Sequence, residues 1–237
     1  MRPFALRVVL FASVIFLTRT AVCADSLLIV DTTNTGFKLS DPNHGQYVTF
    51  DVRGDGVLQK VSWPLPGSRN AWLVYDRDGD GVIKDGTELF GNFTPHADGG
   101  VPNHPSPSGF LALQWYDHPG PQGGHSDLMI DKQDAIWQKL RLWIDTHCYK
   151  TPEVPCQSLP RELHTLESVN INSISLIYQG DQRNDEVGNK WKYYSVVNPR
   201  SHGVFDKYNE PNCCLLHTHS DDGRKVYDVL LKTATSK

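Results

Sequence analysis

One stretch constrains this chain more than any other: Asp76 to Gly91, Asp-Arg-Asp-Gly-Asp-Gly-Val-Ile-Lys-Asp-Gly-Thr-Glu-Leu-Phe-Gly. Its carboxylates stand two residues apart, at Asp76, Asp78 and Asp80, and Gly81 follows at once. Acids packed this closely repel one another unless a cation lies among them. A calcium loop of the EF-hand kind has this spacing. Side-chain oxygens come from positions 1, 3 and 5, a glycine at 6 makes the sharp turn, and a backbone carbonyl ligates from position 7. Asp76, Asp78, Asp80 and the Val82 carbonyl are therefore assigned as calcium ligands, with Ile83 pinning the loop to a core. The bidentate Glu of such loops belongs at position 12, which is Thr87, and Glu88 comes one residue late. Asp85-Gly86 is a turn dipeptide able to absorb the extra residue. Glu88 is taken as the bidentate ligand and Asp85 as the fallback. Leu89 and Phe90 would then begin a short exiting helix, stopped by Gly91. The competing reading is a solvated acidic turn between two strands.

Two later stretches repeat part of this logic. In the second, Asp127 falls at position 5, Met129 at 7 through its carbonyl, Ile130 at 8 and Asp134 at 12. Asp117 reaches position 1 through a longer Pro-Gly loop, His125 holds position 3, and Leu128 replaces the glycine at 6. Asp117, His125, Asp127, Met129 and Asp134 form a possible second metal site. The third opens at Asp145 with His147 at 3, Tyr149 at 5 and Lys150 at 6, which sets a cation where the turn glycine belongs. Asp51 and Asp55 with Gly56 also fit positions 1, 5 and 6, but Arg53 at 3 spoils the set, so a tight turn is expected there.

The first residues read as an export signal. Arg2 and Arg7 flank an apolar run, Val8 to Leu17, that is too short to span a bilayer. Val22-Cys23-Ala24 places cleavage after Ala24, so residues 1–24 are expected to be removed and the product to be secreted or periplasmic, with no membrane anchor. Cleavage removes Arg2, Arg7 and Arg19 and no acid, leaving a chain more acidic than the formal −4 of the whole sequence. Such a balance argues against a nucleic-acid partner. Four cysteines would remain, Cys148, Cys156, Cys213 and Cys214, an even number that suggests disulfides in an exported chain. Cys148 with Cys156 closes a short local loop, and a bond between adjacent Cys213 and Cys214 is strained. Pairing of each with one of the other two competes. The local bond is expected, as a covalent substitute for an ion in the third loop.

Along the chain, Ser26 to Val30 reads as a strand and Tyr47 to Trp63 as a hairpin turning at Arg53-Gly54-Asp55-Gly56. Asp131 to Ile144 carries Ile136, Leu140 and Trp143 or Ile144 at helical spacing, and Arg161 to Val169 suggests a second short helix. Ile171 to Tyr178, Gly188 to Val197 and Lys225 to Lys232 are strand candidates, with Gln179 to Glu186 as a polar connector. The expected class is α+β: β-hairpins and calcium-loop/short-helix units, then a small antiparallel sheet, loop-rich throughout. Residues 25–237 are read as one mature domain, with a possible division into 25–145 and 146–237.

The matching stretches Trp72 to Thr94, Gly109 to Leu113, Asp131 to Asp145 and Glu162 to Tyr178 resemble a family of exported, mostly uncharacterised bacterial proteins with EF-hand-like calcium loops. The resemblance covers most of residues 48–178 and, more loosely, Val226 to Val229. It implies that the late Glu before Leu-Phe-Gly is a ligand, which supports Glu88. It also implies Asn or Asp where His125, His147 and Tyr149 stand, Gly at Leu128 and Lys150, and no segment like Glu153 to Pro160. It supplies no enzymatic activity.

Three functional classes follow. The first is an exported calcium-binding protein whose ion is structural, a binding or structural module for a protein or glycan partner the sequence does not name. The second is a secreted hydrolase merely stabilised by calcium, but neither His-Glu-x-x-His nor Gly-x-Ser-x-Gly occurs, so the sequence points away from an enzyme. The third is a zinc or copper protein using Cys213, Cys214, His217 and His219, whose donors are soft enough for either metal.

Overall fold

A computed structural model describes residues 25–95, 107–199 and 222–234. Its strands are β1 (Ser26–Asp31), β2 (Val48–Phe50), β3 (Gln59–Val61), β4 (Asn70–Tyr75), β5 (Met129–Asp131), β6 (Leu140–Trp143), β7 (Leu163–His164), β8 (Ser173–Ser175), β9 (Gln179–Asn184), β10 (Lys190–Val196) and β11 (Lys225–Leu230). One α-helix, α1 (Gly109–Gln114), is present among the described residues. A seven-stranded sheet runs in the order β7-β6-β4-β1-β11-β10-β9, with every neighbouring pair antiparallel. Two small pairs, β2 with β3 and β5 with β8, lie outside it.

Apolar runs in the central strands follow from burial on both faces. In β1, Leu28 and Val30 point into one core with Ala71, Leu73, Phe110, Leu140 and Leu142. Leu27 and Ile29 point into the other, with Phe50, Trp63, Trp72, Trp143 and Trp191. Helix α1 belongs to the first core and the β2–β3 hairpin to the second. The rings of Trp63, Trp72 and Trp143 meet there, with Trp63 centred 5.0 Å from Trp72 and 5.4 Å from Trp143. Offset and edge contacts of this kind add to the burial of area itself.

The α+β expectation is corrected by these elements: the fold is mostly β. Asp131 to Ile144 is not a helix. A 3₁₀ turn at Trp137–Lys139 leads into β6, which pairs Trp143 with Trp72 and Leu142 with Leu73. The reason is two-sided burial: with Leu140, Leu142 and Ile144 in one core and Trp143 in the other, apolar residues no longer alternate with polar ones. Arg161 to Val169 likewise resolves into two 3₁₀ turns flanking β7. Leu89 and Phe90 continue no helix, since a 3₁₀ turn ends at Glu88 and Leu89 bridges to Val74. Gln179–Asn184, read as a connector, is the edge strand β9, whose polar side chains suit an exposed edge. The large sheet is not confined to the C-terminal part, because β1 and β4 stand at its centre and β11 pairs β1.

The hairpin of Tyr47 to Trp63 and the strands at Ser26, Lys190 and Lys225 are where the sequence places them. The proposed signal, residues 1–24, and the Cys213/Cys214/His217/His219 cluster lie outside the described residues. Among the described residues no helix is long and apolar enough to cross a membrane.

Candidate metal centre

The acidic loop leaves the end of β4 and wraps around the first of its acids. Asp76 Oδ1 accepts the Gly79 amide at 2.8 Å and Oδ2 the Gly81 amide at 2.9 Å. Asp80 Oδ1 accepts the Val82 amide at 2.8 Å. This winding needs left-handed backbone at positions 4 and 6, and Gly79 (φ 75°) and Gly81 (φ 82°) supply it. Ile83 is wholly buried, and its backbone is clamped on both sides by Ser158: its amide donates to Ser158 Oγ at 2.8 Å, and its carbonyl accepts the Ser158 amide at 2.9 Å. The loop is thus anchored to the segment Glu153–Pro160.

Asp76, Asp78 and Asp80 present carboxylate oxygens within 4.8 Å of one another. Lys84 joins them from position 9. Its ammonium donates to Asp78 and, at 2.6 Å, to Asp80 Oδ2. That bond holds the Asp78 carboxyl below its ordinary range, and the two aspartates raise the Lys84 ammonium in return. Lys84 has no part in the ligand set drawn from the sequence.

Glu88 is the buried acid of the loop, only 2% exposed, and stands outside the convergent group of Asp76, Asp78 and Asp80. Its Oε2 accepts the Lys84 amide at 3.0 Å, whereas Oε1 has no hydrogen-bond partner. Burial pushes its carboxyl up to about 7, helped by Asp78 and Asp85 and opposed by the backbone amides of Lys84 and Arg77. An unpaired carboxylate oxygen in a buried place is costly unless the group is neutralised or meets a cation. Asp85 acts as a cap instead. Its Oδ1 opens the 3₁₀ turn by accepting the Thr87 amide at 2.9 Å and the Thr87 hydroxyl at 2.5 Å.

The same winding recurs without the ligands. Asp51 accepts the Gly54 and Gly56 amides at 2.8 and 2.7 Å, and Asp31 accepts those of Thr33 and Gly36 at 3.1 and 2.7 Å. In the Asp51 turn, the Arg53 side chain leaves the loop to pair with Asp25 at 2.9 Å.

The second predicted loop also closes on its first acid. Asp117 accepts the amides of Asp127 and Leu128 at 3.2 and 3.0 Å, and Asp127 accepts that of Met129 at 3.0 Å. Leu128 takes the glycine-like φ of 63°. Asp134 binds the amides of His125 at 3.0 Å and Asp131 at 2.8 Å, and burial raises its carboxyl. Loop amides thus satisfy oxygens of both Asp117 and Asp134. Among the described residues, groups of three or more acid, imidazole or thiol ligands converge at two places, and this loop is not one of them.

The second convergence is Asp145, His147 and Cys148. Here only the first part of the winding forms: Asp145 Oδ1 accepts the His147 and Cys148 amides at 2.9 and 3.0 Å, but the Lys150 amide turns to the His147 carbonyl. Cys148–Lys150 is a 3₁₀ turn, and the Tyr149 hydroxyl donates to the Trp63 carbonyl at 3.2 Å. Cys148 is bonded to Cys156.

A family model described as the SPM domain matches residues 28–205. Over 140 residues, 59% of this chain, the sequence is 34% identical to the Iron-regulated protein FrpA of Neisseria meningitidis serogroup C. That stretch covers 11% of FrpA, so the chain spans about a tenth of that relative's length.

Proposed function

The chain belongs to the SPM domain family, and from that premise and the loop geometry we propose that it is an exported module that binds one calcium ion to hold its fold together. The observation that carries this reading is Glu88, buried, with Oε1 unpartnered, at the end of a loop in which Asp76, Asp78 and Asp80 already converge. Hard oxygen donors on a flexible loop suit calcium better than magnesium, which demands a smaller and more regular octahedron. Asp76, Asp78, Asp80 and Glu88 would hold the ion together with the Val82 carbonyl. Calcium would displace the Lys84 ammonium from Asp78 and Asp80.

The ion would sit where several parts of the molecule meet. The loop leaves β4, is clamped by Ser158 through Ile83, and ends at Gly86, whose amide donates to the Asp51 carbonyl at 2.7 Å. One cation would therefore tie the hairpin, the large sheet and the Glu153–Pro160 segment together. Export rests on the Val8–Leu17 run and agrees with a disulfide in the fold.

Thermal melting tests this reading. At a hundred times the dissociation constant a ligand of the folded state adds about 2.7 kcal/mol. Chelator should lower the melting temperature, calcium should restore it, and magnesium should restore it poorly. Asp80→Ala should remove the response. A wild-type melt indifferent to chelator and calcium overturns the reading.

A further inference from the structure

We propose that Cys148, Cys156 and His147 form a zinc-class metal site that becomes available when the Cys148–Cys156 disulfide is reduced. Asp145, His147 and Cys148 already bring ligand atoms within 4.8 Å of one another. His147 is held as metal-binding histidines are held. Its Nδ1 lies 2.9 Å from Glu162 Oε1 and 3.3 Å from Asp145 Oδ1. A proton on Nδ1, donated to a carboxylate, leaves the lone pair on Nε2 and fixes the ring. That Nε2 lies 3.9 Å from Cys148 Sγ.

Glu162 is rigid enough to orient the ring. Its side chain is 1% exposed and accepts from the Thr146 hydroxyl at 2.5 Å, the Thr146 amide at 3.0 Å and the Leu159 amide at 3.1 Å. Such a half-buried imidazole, held by two carboxylates, is more than a short turn needs.

In the disulfide neither sulfur carries the thiolate charge that a metal takes. A phosphine reductant supplies two electrons and leaves as its oxide, with oxygen from one water; the S–S bond breaks and the two water protons go to the two sulfurs. The metal then displaces both thiol protons. The two Cα atoms are 5.4 Å apart, close enough for both sulfurs to reach one ion at about 2.3 Å each. Two thiolates, the His147 imidazole and a water complete a tetrahedral set that selects zinc over calcium. Both cysteines are buried, so the two thiolates would be shielded from bulk solvent.

Cobalt titration of the full chain tests the proposal, in a Cys23→Ser, Cys213→Ser, Cys214→Ser background that removes the other thiols, with calcium present. Phosphine-reduced protein should take one equivalent of cobalt, with the visible bands of a tetrahedral thiolate complex, and zinc should bleach them. Oxidised protein should show no such bands. His147→Ala should weaken binding at least tenfold, and the isosteric Glu162→Gln should weaken it about 10- to 100-fold. Equal binding by both redox forms, no bands in a reduced chain with a native circular dichroism spectrum, or unchanged affinity in His147→Ala overturns the proposal. A reduced chain that unfolds and is not refolded by zinc overturns it as well.

Discussion

The ammonium of Lys84 lies 2.6 Å from Asp80 Oδ2, so the loop carries its own cation four residues beyond its third acid. A calcium ion and this lysine compete for the same oxygens. Lys84→Gln should therefore bind calcium more tightly, by a factor of up to about five for a pair this exposed. Without the ion it should melt lower than wild type, because the three acids lose their counter-charge. Titration calorimetry and paired melts with and without chelator measure both effects. Weaker calcium binding by Lys84→Gln would contradict the competition.

Glu88 makes the pH dependence specific. Its carboxyl is raised from 4.5 to about 7 by burial. A raised carboxyl favours the protonated folded state, so in chelator this group's contribution is fully present below about 4.5 and is lost as pH rises through about 7. Calcium needs the ionised form, so its affinity should rise over the same window and its binding below about pH 7 should release a proton. Glu88→Gln should lose this part of the pH dependence, be insensitive to calcium, and be more stable than chelated wild type at pH 8. Melts at several pH values in chelator and in calcium check each sign.

Two glycines separate the winding of the loop from its docking. A Cβ on Gly86 would lie 1.7 Å from the Val52 carbonyl oxygen, a backbone atom that cannot step aside. A Cβ on Gly81 meets nothing within 4 Å but sits on a residue of φ 82°. Gly81→Ala should cost about 1–2 kcal/mol from the left-handed backbone alone. Gly86→Ala should cost more than that and expose the second core, because it forces the loop end off the hairpin. Urea unfolding ranks the two.

A buried acid in the large sheet supplies a further check. Asp228 on β11 is fully buried, and its Oδ2 accepts the Gly109 amide at the start of α1 at 3.0 Å. Burial pushes its carboxyl up to about 6. Asp228→Leu leaves that amide without its acceptor and should lose about 1–3 kcal/mol, whereas Asp228→Asn keeps an oxygen there and should lose less. Chemical denaturation at pH 7 distinguishes them.

The loop was legible in the sequence because its winding is written in residue types: glycine where φ must be positive, acids where amides must be accepted. The hairpin was legible because Val48 and Phe50 alternate with polar neighbours. The large sheet was legible in part: its strands at Ser26, Lys190 and Lys225 were read, whereas Leu140–Trp143 buries both faces, which erases the period that separates strand from helix, and was read as part of a helix. Edge strand β9 was hidden for the opposite reason: Gln179–Asn184 buries almost nothing. Helix α1 was not read as a helix from the sequence, though Ser108 beside it caps its start by accepting the Leu111 amide. At the site, Lys84 and Ser158 were missed because their parts depend on contacts that residue spacing does not encode.

Isothermal titration of calcium into chelator-treated protein at pH 7.5 or so, above the Glu88 range, tests the central claim most directly. The expected result is one binding event per chain in wild type, abolished by Asp80→Ala while that variant keeps the wild-type circular dichroism spectrum. No calcium heat in wild type, or an undiminished event in Asp80→Ala, would contradict it.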